Sequence, residues 1–559
     1  MNVRKSTIAY FSAEIGISSR LPTYSGGLGV LAGDHIKAAA DAKINLCAVS
    51  LLYKEGYFKQ RIDEDGSQTE TYPQFDPLPI LTLLPLKFTL KLRNRDVWIQ
   101  VYKYSYRGLS GHEIPIYFLD TDVKDNFHDD RIITLRLYSG NKDHRILQEA
   151  ILGFGGIKLL EKLEINDSIQ TYHINEGHCS FLTLGLLEKY NSNQDEVRKR
   201  CHFTTHTPVE AGHDHFARER CEKLLHGLLP ENIELPSLVK NSRWHMTELG
   251  LFFSRSSNGV SKLHSQVASN QFSDFTIGSI TNGVYHPYWV GKEFRELFSK
   301  YIPDWKENPK ELLEVEKIPD EEIWHMHQSH KHFLLGYTNS QTGKAFSEDV
   351  LTLGFARRAA EYKRARLIFH DLDRLTKIGA GKLQIIFAGK AHPNDSHGKE
   401  IIREVVENSN RLFGEVKIIF LENYNMWLGR LITSGVDVWL NTPLRPNEAS
   451  GTSGMKAALN GVPNLSILDG WWAEGCDHGK NGWAIGSPDF CDDEADAESL
   501  YLLLENEVIP AFYDDRAKWA QLMRASIKTG VMFTAHRMIK EYQEKFYTHQ
   551  AQEVLSSSK

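Results

Sequence analysis

The chain of 559 residues has few cysteines, no long apolar run and no excess of positive charge. Its six cysteines form no CxxC pair, which favours reduced thiols over a disulfide framework. The longest apolar stretch, residues 78–90, is interrupted by prolines and Lys87, which argues against a membrane-spanning helix. A net charge of −7 is atypical of a nucleic-acid-binding surface. With no signal-peptide hydrophobic region at the start, these absences predict a soluble, cytoplasmic protein.

Short apolar segments recur along the chain, each followed by a polar or glycine-rich turn and a helical pattern. In the second half their starts lie roughly 20–35 residues apart, which is the length of a βαβ unit. Apolar strands that alternate with helices predict parallel sheets covered on both faces. The predicted strands are 8–11, 45–52, 168–174, 202–205 and 275–280 in the first half and 350–355, 383–387, 416–421, 436–440 and 464–468 in the second.

The pattern predicts an α/β protein of two doubly wound, Rossmann-like domains that face a central cleft. The boundary is placed just after a strand that ends at residues 281–283. Alternating apolar and polar residues at 96–106 predict a half-exposed antiparallel insertion, placed near 60–120. A closing helical segment is predicted over 514–546. The predicted domains are 1–284 and 285–559.

Glycine-rich or charged turns follow most of the predicted strands. Because ligands bind beyond the carboxyl ends of strands in open α/β sheets, these turns are expected to line one site. The glycine turn at residues 24–34 contains Gly26 and Gly27 and matches neither GxGxxG nor a Walker A motif. It is either a tight structural turn or a set of bare amides that hold an anion at a helix N-terminus.

Four basic residues, Arg357, Arg358, Lys363 and Lys390, follow two of the predicted strands in the second half. Side chains at such strand ends can converge on one anion, although surface cations are often simply solvated. Their position after buried strands favours a shared anion site.

The segment 448–456 is the most specific feature of the sequence. Small residues at 450–454 would let backbone amides approach a phosphate closely, and a helix is predicted to begin at Met455 and end before Gly461. Lys456 would lie in the first turn, where burial can turn a lysine into a Schiff-base nucleophile. The alternative is a solvated lysine at an ordinary helix start.

Two groups of histidines suggest metal binding without fitting it. The four histidines at 325–332 match no common zinc spacing, and the sequence favours an exposed helix there. The trio His213-Asp214-His215 is more typical of a polar loop. No metal site is therefore predicted.

The blocks described above resemble the α-glucan phosphorylases, the glycogen, starch and maltodextrin phosphorylase family with the GT-B fold, and most of all its short bacterial and archaeal branch. The resemblance implies reversible, retaining phosphorolysis of α-1,4-glucans or maltodextrins by orthophosphate, with release of α-D-glucose 1-phosphate. It also implies pyridoxal 5′-phosphate as cofactor, with its 5′-phosphate as proton relay, and a homodimer, since the family is commonly dimeric. The likeness is strongest over residues 24–34, 203–214, 354–364, 387–393 and 420–486.

The resemblance also assigns roles position by position. The implied catalytic residues are Lys456, which binds the cofactor, and Arg358 and Lys363, which grip orthophosphate. The first domain is expected to serve glucan and phosphate, and the second the cofactor. Further implied cofactor contacts are Gly451, Thr452, Ser453, Arg357, Tyr424 and Trp289, and implied substrate contacts are Gly26, Gly27, His206, Asn282, Glu448, Ser450, Gly451 and Lys390.

Near the implied site the chain departs from the typical family pattern. Ala360 replaces a histidine, Arg357 a lysine, Ser453-Gly454 a Gly-Asn pair and Trp471-Trp472 an Ala-Asn pair. These differences bear on the acceptor side and on the surroundings of the cofactor. Because the chain starts directly at the first strand, no N-terminal regulatory segment or allosteric control is expected.

Two other functions stay open at this stage. One is a GT-B glycogen or starch synthase-like transferase with a nucleotide-sugar donor, since the Ser-Gly-Gly-Leu-Gly turn at 25–29 resembles the loop of that group. The other is a catalytically decayed glucan-binding protein. Lys456 separates these functions, because a synthase needs no lysine there and binds no chromophore.

Overall fold

The computed structural model describes residues 6–230 and 233–547, which fall into two compact units. The predicted domains are continuous in sequence, whereas each unit includes a segment from the other half of the chain. Unit 1 is Met1–Phe58, Tyr72–Thr281 and Met538–Lys559, and unit 2 is Lys59–Thr71 and Asn282–Arg537.

The strands are numbered in chain order. They are β1 Ile8–Ser12, β2 Leu46–Leu51, β3 Lys59–Ile62, β4 Gln68–Thr71, β5 Thr82–Leu92, β6 Arg95–Arg107, β7 Glu113–Asp120, β8 Thr171–Asn175, β9 Cys201–Thr204, β10 His215–Ala217, β11 Arg243–His245, β12 Ser256–Gly259, β13 Gly278–Ser279, β14 Leu351–Ala356, β15 Leu383–Ala388, β16 Lys417–Leu421, β17 Val438–Asn441, β18 Asn464–Ile467 and β19 Gly482–Ile485.

The α-helices are numbered in the same way. They are α1 Gly27–Asp41, α2 His128–Arg131, α3 Lys142–Ala150, α4 Gly156–Lys162, α5 Phe181–Lys189, α6 Gln194–Arg198, α7 Arg218–Leu224, α8 Pro236–Asn241, α9 Met246–Phe252, α10 Lys262–Gln271, α11 His286–Trp289, α12 Lys292–Tyr301, α13 Asp320–Thr342, α14 Leu372–Gly379, α15 Ser396–Arg411, α16 Met426–Gly435, α17 Thr452–Leu459, α18 Trp472–Gly475, α19 Asp493–Leu503, α20 Ile509–Asp514, α21 Arg516–Met532 and α22 Ala535–Tyr542. The π turn Gln543–Tyr547 continues α22, whereas Glu361–Lys363 form a separate 3₁₀ turn after β14.

Unit 1 is built on a nine-stranded sheet in the order β13-β12-β9-β8-β1-β2-β7-β6-β5. Its strands are parallel from β13 to β7, and Ile8 on β1 lies opposite both Leu46 and Thr171. β6 is antiparallel to both neighbours, as the alternation at 96–106 predicts. β1, β2, β8 and β9 are entirely buried because both of their faces are covered.

Unit 2 is built on a six-stranded, fully parallel sheet in the order β16-β15-β14-β17-β18-β19. All five strands predicted in the second half are confirmed, and β14 and β15 are buried along their whole length. The carboxyl ends of β14 to β17 lie side by side, which brings the turns that follow them to one edge of the sheet.

The helix that carries Lys456 begins earlier than predicted. Gly451 has φ +80°, the left-handed conformation that glycine tolerates best, and α17 starts at Thr452 rather than Met455. The sequence predicts a phosphate-binding turn at 450–454, whereas Thr452, Ser453 and Gly454 form the first turn of the helix. The predicted stop is confirmed, since Gly461 follows the helix with φ +71°.

The prediction of an exposed helix at 325–332 is wrong for two of its four histidines. α13 packs against α12 and α16, so His327 and His330 point inward and are 1% and 4% exposed. His327 Nε2 lies 2.8 Å from Asp437 Oδ1, and His330 Nε2 lies 2.6 Å from Glu293 Oε2. Both histidines therefore pair with carboxylates inside unit 2.

Within residues 6–230 and 233–547, each helix is too short or too polar to traverse a bilayer. The same residues contain no cluster of three or more His, Cys, Asp or Glu side chains arranged to hold a metal ion. All six cysteines are unpaired.

Candidate functional site

The edge of the unit 2 sheet carries a buried carboxylate shared by two cations. Arg357, just after β14, places Nη2 2.5 Å from Glu448 Oε2 and Nη1 2.9 Å from Asn441 Oδ1 at the end of β17. Lys363 Nζ lies 2.5 Å from the same Glu448 oxygen. Burial acts to raise the pKa of Glu448, but Arg357 and Lys363 outweigh it and hold that pKa below its usual range. Glu448 is therefore ionised.

Asp469, which follows β18, accepts a hydrogen bond from the backbone of Glu448. Its Oδ2 accepts the Glu448 N–H at 2.9 Å, and its Oδ1 accepts the Gly470 N–H at 2.8 Å. Burial, reinforced by the charge of Glu448, raises the pKa of Asp469 to about 7. The sequence gives no signal for this residue beyond its place at a strand end. Asp469 can take up or release a proton near neutral pH.

Lys456 is buried on α17, only 6% exposed, with Nζ 3.8 Å from the centroid of the Trp289 ring. Asn460, one turn later, donates to Trp289 O at 3.0 Å and to Lys456 O at 2.8 Å. It also accepts the Gly291 N–H at 2.7 Å. These bonds fix α11 against α17, so the lysine and the tryptophan are held together.

The start of α17 fits an anionic cofactor that bonds to a lysine. No side chain caps the helix, so its first amides have no side-chain acceptor. Next to the cap, the Ser450 hydroxyl is buried with no hydrogen-bond partner among the residues that the structure describes, and the same holds for Asn282 Oδ1 elsewhere in unit 2. Helical side chains tilt toward the N-terminus, which directs Lys456 toward this end. A Cβ at position 454 would lie 2.3 Å from Asn464 Oδ1, so Gly454 lets the helix pass close to β18.

Three other residues predicted in this half, Lys390, Tyr424 and Arg358, lie in turns at the same sheet edge. Lys390 follows β15, and burial lowers its pKa to about 8. Tyr424 follows β16. Arg358 follows β14, is exposed and makes no ion pair with any residue that the structure describes. Ser453 Oγ accepts from Trp439 Nε1 at 3.2 Å. Adjacent strands thus supply several cations to one edge.

In unit 1 the glycine turn is held by a carboxylate that the sequence did not single out. Glu14 Oε2 accepts the N–H groups of Ser25 at 2.5 Å and Gly26 at 3.3 Å, and Glu14 Oε1 accepts the Tyr138 hydroxyl at 2.8 Å. The Gly26 amide therefore already has an acceptor. Gly27 is exposed at the start of α1, and a Cβ there would meet nothing within 4 Å.

His206 lies just beyond the end of β9 in unit 1. Its Nε2 is 2.8 Å from Asn175 Oδ1, and its N–H donates to Glu176 Oε2 at 2.7 Å. Burial lowers the pKa of His206 to about 4, so the ring is neutral at physiological pH. Glu176 itself has φ +79° and also accepts from Thr207 Oγ1 at 2.9 Å. This bonded turn fixes the orientation of the imidazole.

Comparison with known proteins matches residues 209–477 to the carbohydrate phosphorylase family. The chain is 43% identical to a maltodextrin phosphorylase of Thermococcus litoralis, with 97% of this chain and 70% of that protein aligned. It is 38% identical to a glycogen phosphorylase of Aquifex aeolicus, over 97% and 86% of the two lengths. An uncharacterised protein of Methanocaldococcus jannaschii is 33% identical, over 96% and 99% of the two lengths.

Proposed function

The chain belongs to the carbohydrate phosphorylase family, and on this premise we propose that it catalyses the reversible phosphorolysis of α-1,4-glucans, with release of α-D-glucose 1-phosphate. The relatives named as maltodextrin and glycogen phosphorylases support this substrate class. The observation that carries the proposal is Lys456, buried against Trp289 on a helix whose N-terminus has no side-chain cap. A nucleotide-sugar transferase has no use for such a lysine.

The proposed cofactor is pyridoxal 5′-phosphate. Lys456 would bond its aldehyde carbon, and Gly451, Thr452 and Ser453 would bind its phosphate through their backbone amides. Trp289, Tyr424 and Arg357 would complete the cofactor pocket. When bound, the cofactor supplies a phosphate group that can take up and release a proton.

Orthophosphate would be held by Arg358, Lys363 and Lys390. In the reaction, orthophosphate gives a proton to the leaving 4-oxygen, the bond from that oxygen to the anomeric carbon breaks, and a phosphate oxygen bonds to the same carbon. The phosphate of the cofactor and the substrate orthophosphate repel each other, and nearby cations lower that repulsion. The cations at this edge of the sheet would have this effect. Glu448 pairs with both Arg357 and Lys363 and would hold these two cations in place for the anions.

We expect the sugar to be oriented by polar groups whose hydrogen bonds are not satisfied within the described part of the protein. Ser450 Oγ and Asn282 Oδ1 are both buried and have no partner within residues 6–230 and 233–547, and hydroxyl groups of a glucosyl unit would satisfy them. Neutral His206, Glu448, Gly451 and the turn at Gly26 and Gly27 are further proposed contacts. The GT-B fold is also proposed, supported by a fully parallel sheet in unit 2 and by seven parallel strands in the unit 1 sheet. The family resemblance adds a homodimer to the proposal. The unpaired cysteines favour a cytoplasmic location.

The purified protein tests these proposals directly. It should release glucose 1-phosphate from maltodextrin only when orthophosphate is present. It should also absorb in the near ultraviolet, and borohydride reduction followed by digestion and mass spectrometry should find the cofactor fixed to Lys456. A colourless protein that transfers glucose from a nucleotide sugar would overturn the proposal in favour of a synthase-like enzyme.

A further inference from the structure

The hairpin of β3 and β4 belongs to unit 2 although the surrounding sequence belongs to unit 1. Its two faces differ sharply in exposure. Gln60 and Gln68 are 4% and 6% exposed, whereas Arg61 and Thr69, on the other face, are exposed. A buried glutamine is costly unless its amide is fully hydrogen-bonded. The hydrogen-bond partners of these two amides therefore show which part of unit 2 the hairpin holds in place.

Both glutamines bond to the turn that carries Lys390. Gln60 Nε2 donates to Gly389 O at 2.8 Å, and Gln68 Nε2 donates to Ala391 O at 3.0 Å. Gln68 Oε1 accepts the Ala391 N–H at 3.0 Å and Gln60 Nε2 at 2.8 Å. Gln60 and Gln68 thus bind the backbone of the residues on both sides of Lys390.

The other side of this turn is fixed by the end of β14. Lys390 O accepts the Ala359 N–H at 3.0 Å, and a Cβ on Gly389 would lie 1.8 Å from Arg357 O. The turn is therefore bonded on one side to the residues after β14 and on the other side to the hairpin. Gln60 Oε1 also accepts the N–H of Asn423, the residue before Tyr424, at 2.8 Å.

We propose that Gln60 and Gln68 are positioning residues for orthophosphate, because they fix the backbone on which Lys390 is carried. This inference rests on the proposed role of Lys390 in binding phosphate. Neither glutamine needs to touch substrate. Gln68, which bonds both backbone groups of Ala391, is expected to act on the anion through the ammonium group of Lys390, so its effect should be specific to phosphate and absent for glucan.

Methionine at either position keeps the length of the side chain and removes its amide. Gln68→Met is expected to raise KM for orthophosphate about tenfold, the effect of an unmade buried hydrogen bond, and to leave KM for maltodextrin unchanged. Arg61→Met, on the same hairpin but its exposed face, is the matched control and should change neither. In hydrogen exchange, the Ala391 amide should lose protection in Gln68→Met and keep it in the control.

A double-mutant cycle separates positioning from a general structural role. If Gln68 acts through Lys390, adding Gln68→Met to Lys390→Met should not raise KM for orthophosphate further. Additive effects, or equal rises in both KM values, would overturn the inference. Should Gln68→Met fail to fold, Gln60→Met decides by the same criteria, provided that its near-ultraviolet absorbance equals that of the wild type, because Gln60 also bonds the residue before Tyr424. A wild-type protein without phosphate-dependent activity would contradict the proposed function instead. Hydrogen exchange at the Ala391 amide would still show whether Gln68 holds the turn that carries Lys390.

Discussion

Glu448 Oε2 lies 2.5 Å from Lys363 Nζ, and both side chains are buried. Burying a charged pair removes water from both groups, and removal of one partner leaves the other charge uncompensated. Arg357 approaches the same oxygen, so one carboxylate neutralises part of the charge of two cations. An incoming phosphate would meet cations that are already desolvated and held in place.

Replacement of Glu448 by glutamine removes the negative charge and keeps the shape. Two buried cations then repel each other, and we expect a loss of about 3 kcal/mol of stability. Millimolar orthophosphate should restore part of the loss by supplying the missing charge, seen as a larger rise in melting temperature than in the wild type. Glu404→Gln, which breaks a partly exposed pair with Arg366, is the control and should show no such rescue.

Lys456→Ala should abolish both the near-ultraviolet absorbance and phosphorolysis, because no amine remains to bond an aldehyde. Lys377→Ala, at an exposed position on α14, should retain both. Absorbance spectra and mass spectra after borohydride reduction measure the outcome. Retention of the chromophore in Lys456→Ala would exclude this lysine as the anchor.

Arg358→Ala tests the exposed cation at the end of β14. Loss of one charge-assisted hydrogen bond to phosphate is expected to cost about 1.5–3 kcal/mol, or roughly ten- to a hundredfold in kcat/KM for orthophosphate. KM for maltodextrin should stay constant. Arg411→Ala, at the exposed end of α15, serves as control. Unchanged phosphate kinetics would refute the role given to Arg358.

Unit 1 should lose stability in mild acid. Burial lowers the pKa of His35 from 6.5 to about 3, and that of His202 likewise to about 3. Each ring binds a proton in the unfolded chain before it does in the folded one. The stability they contribute is therefore full above pH 6.5 and falls as pH drops toward 3, by about 1.4 kcal/mol per pH unit for each histidine.

His35→Gln should make this acid dependence shallower by about one proton. Urea unfolding midpoints between pH 7 and pH 4.5 measure the slope, with the exposed His226→Gln as control. An identical slope in His35→Gln and wild type would show that His35 does not titrate on unfolding.

The strands of unit 2 could be predicted because their residues are apolar on both faces, and periodicity reports that directly. The turns at their carboxyl ends followed from topology, so Arg357, Lys363 and Glu448 were expected near one another. The start of α17 was misplaced because Gly451 alone provides the left-handed residue, and the small residues after it suit a loop as well as a helix.

Long-range polar contacts could not be predicted. Gln60 and Gln68 lie among charged and polar residues, and nothing local marks them as buried. The same holds for His327, whose partner Asp437 is 110 residues away in sequence. Asp469 is inconspicuous for a related reason, since its raised pKa depends on burial and on Glu448 rather than on its own neighbours in the chain.

The return of the chain to unit 1 after Arg537 has a consequence for biosynthesis. The Tyr547 hydroxyl bonds His35 and His173, which precede it by 512 and 374 residues. Arg255 in turn donates to Phe546 O at 2.7 Å. Until residues 542–547 have been translated, His35 on α1 and His173 on β8 therefore lack the tyrosine hydroxyl that bonds them in the folded protein. Completion of unit 1 must wait until residues 542–547 have left the ribosome.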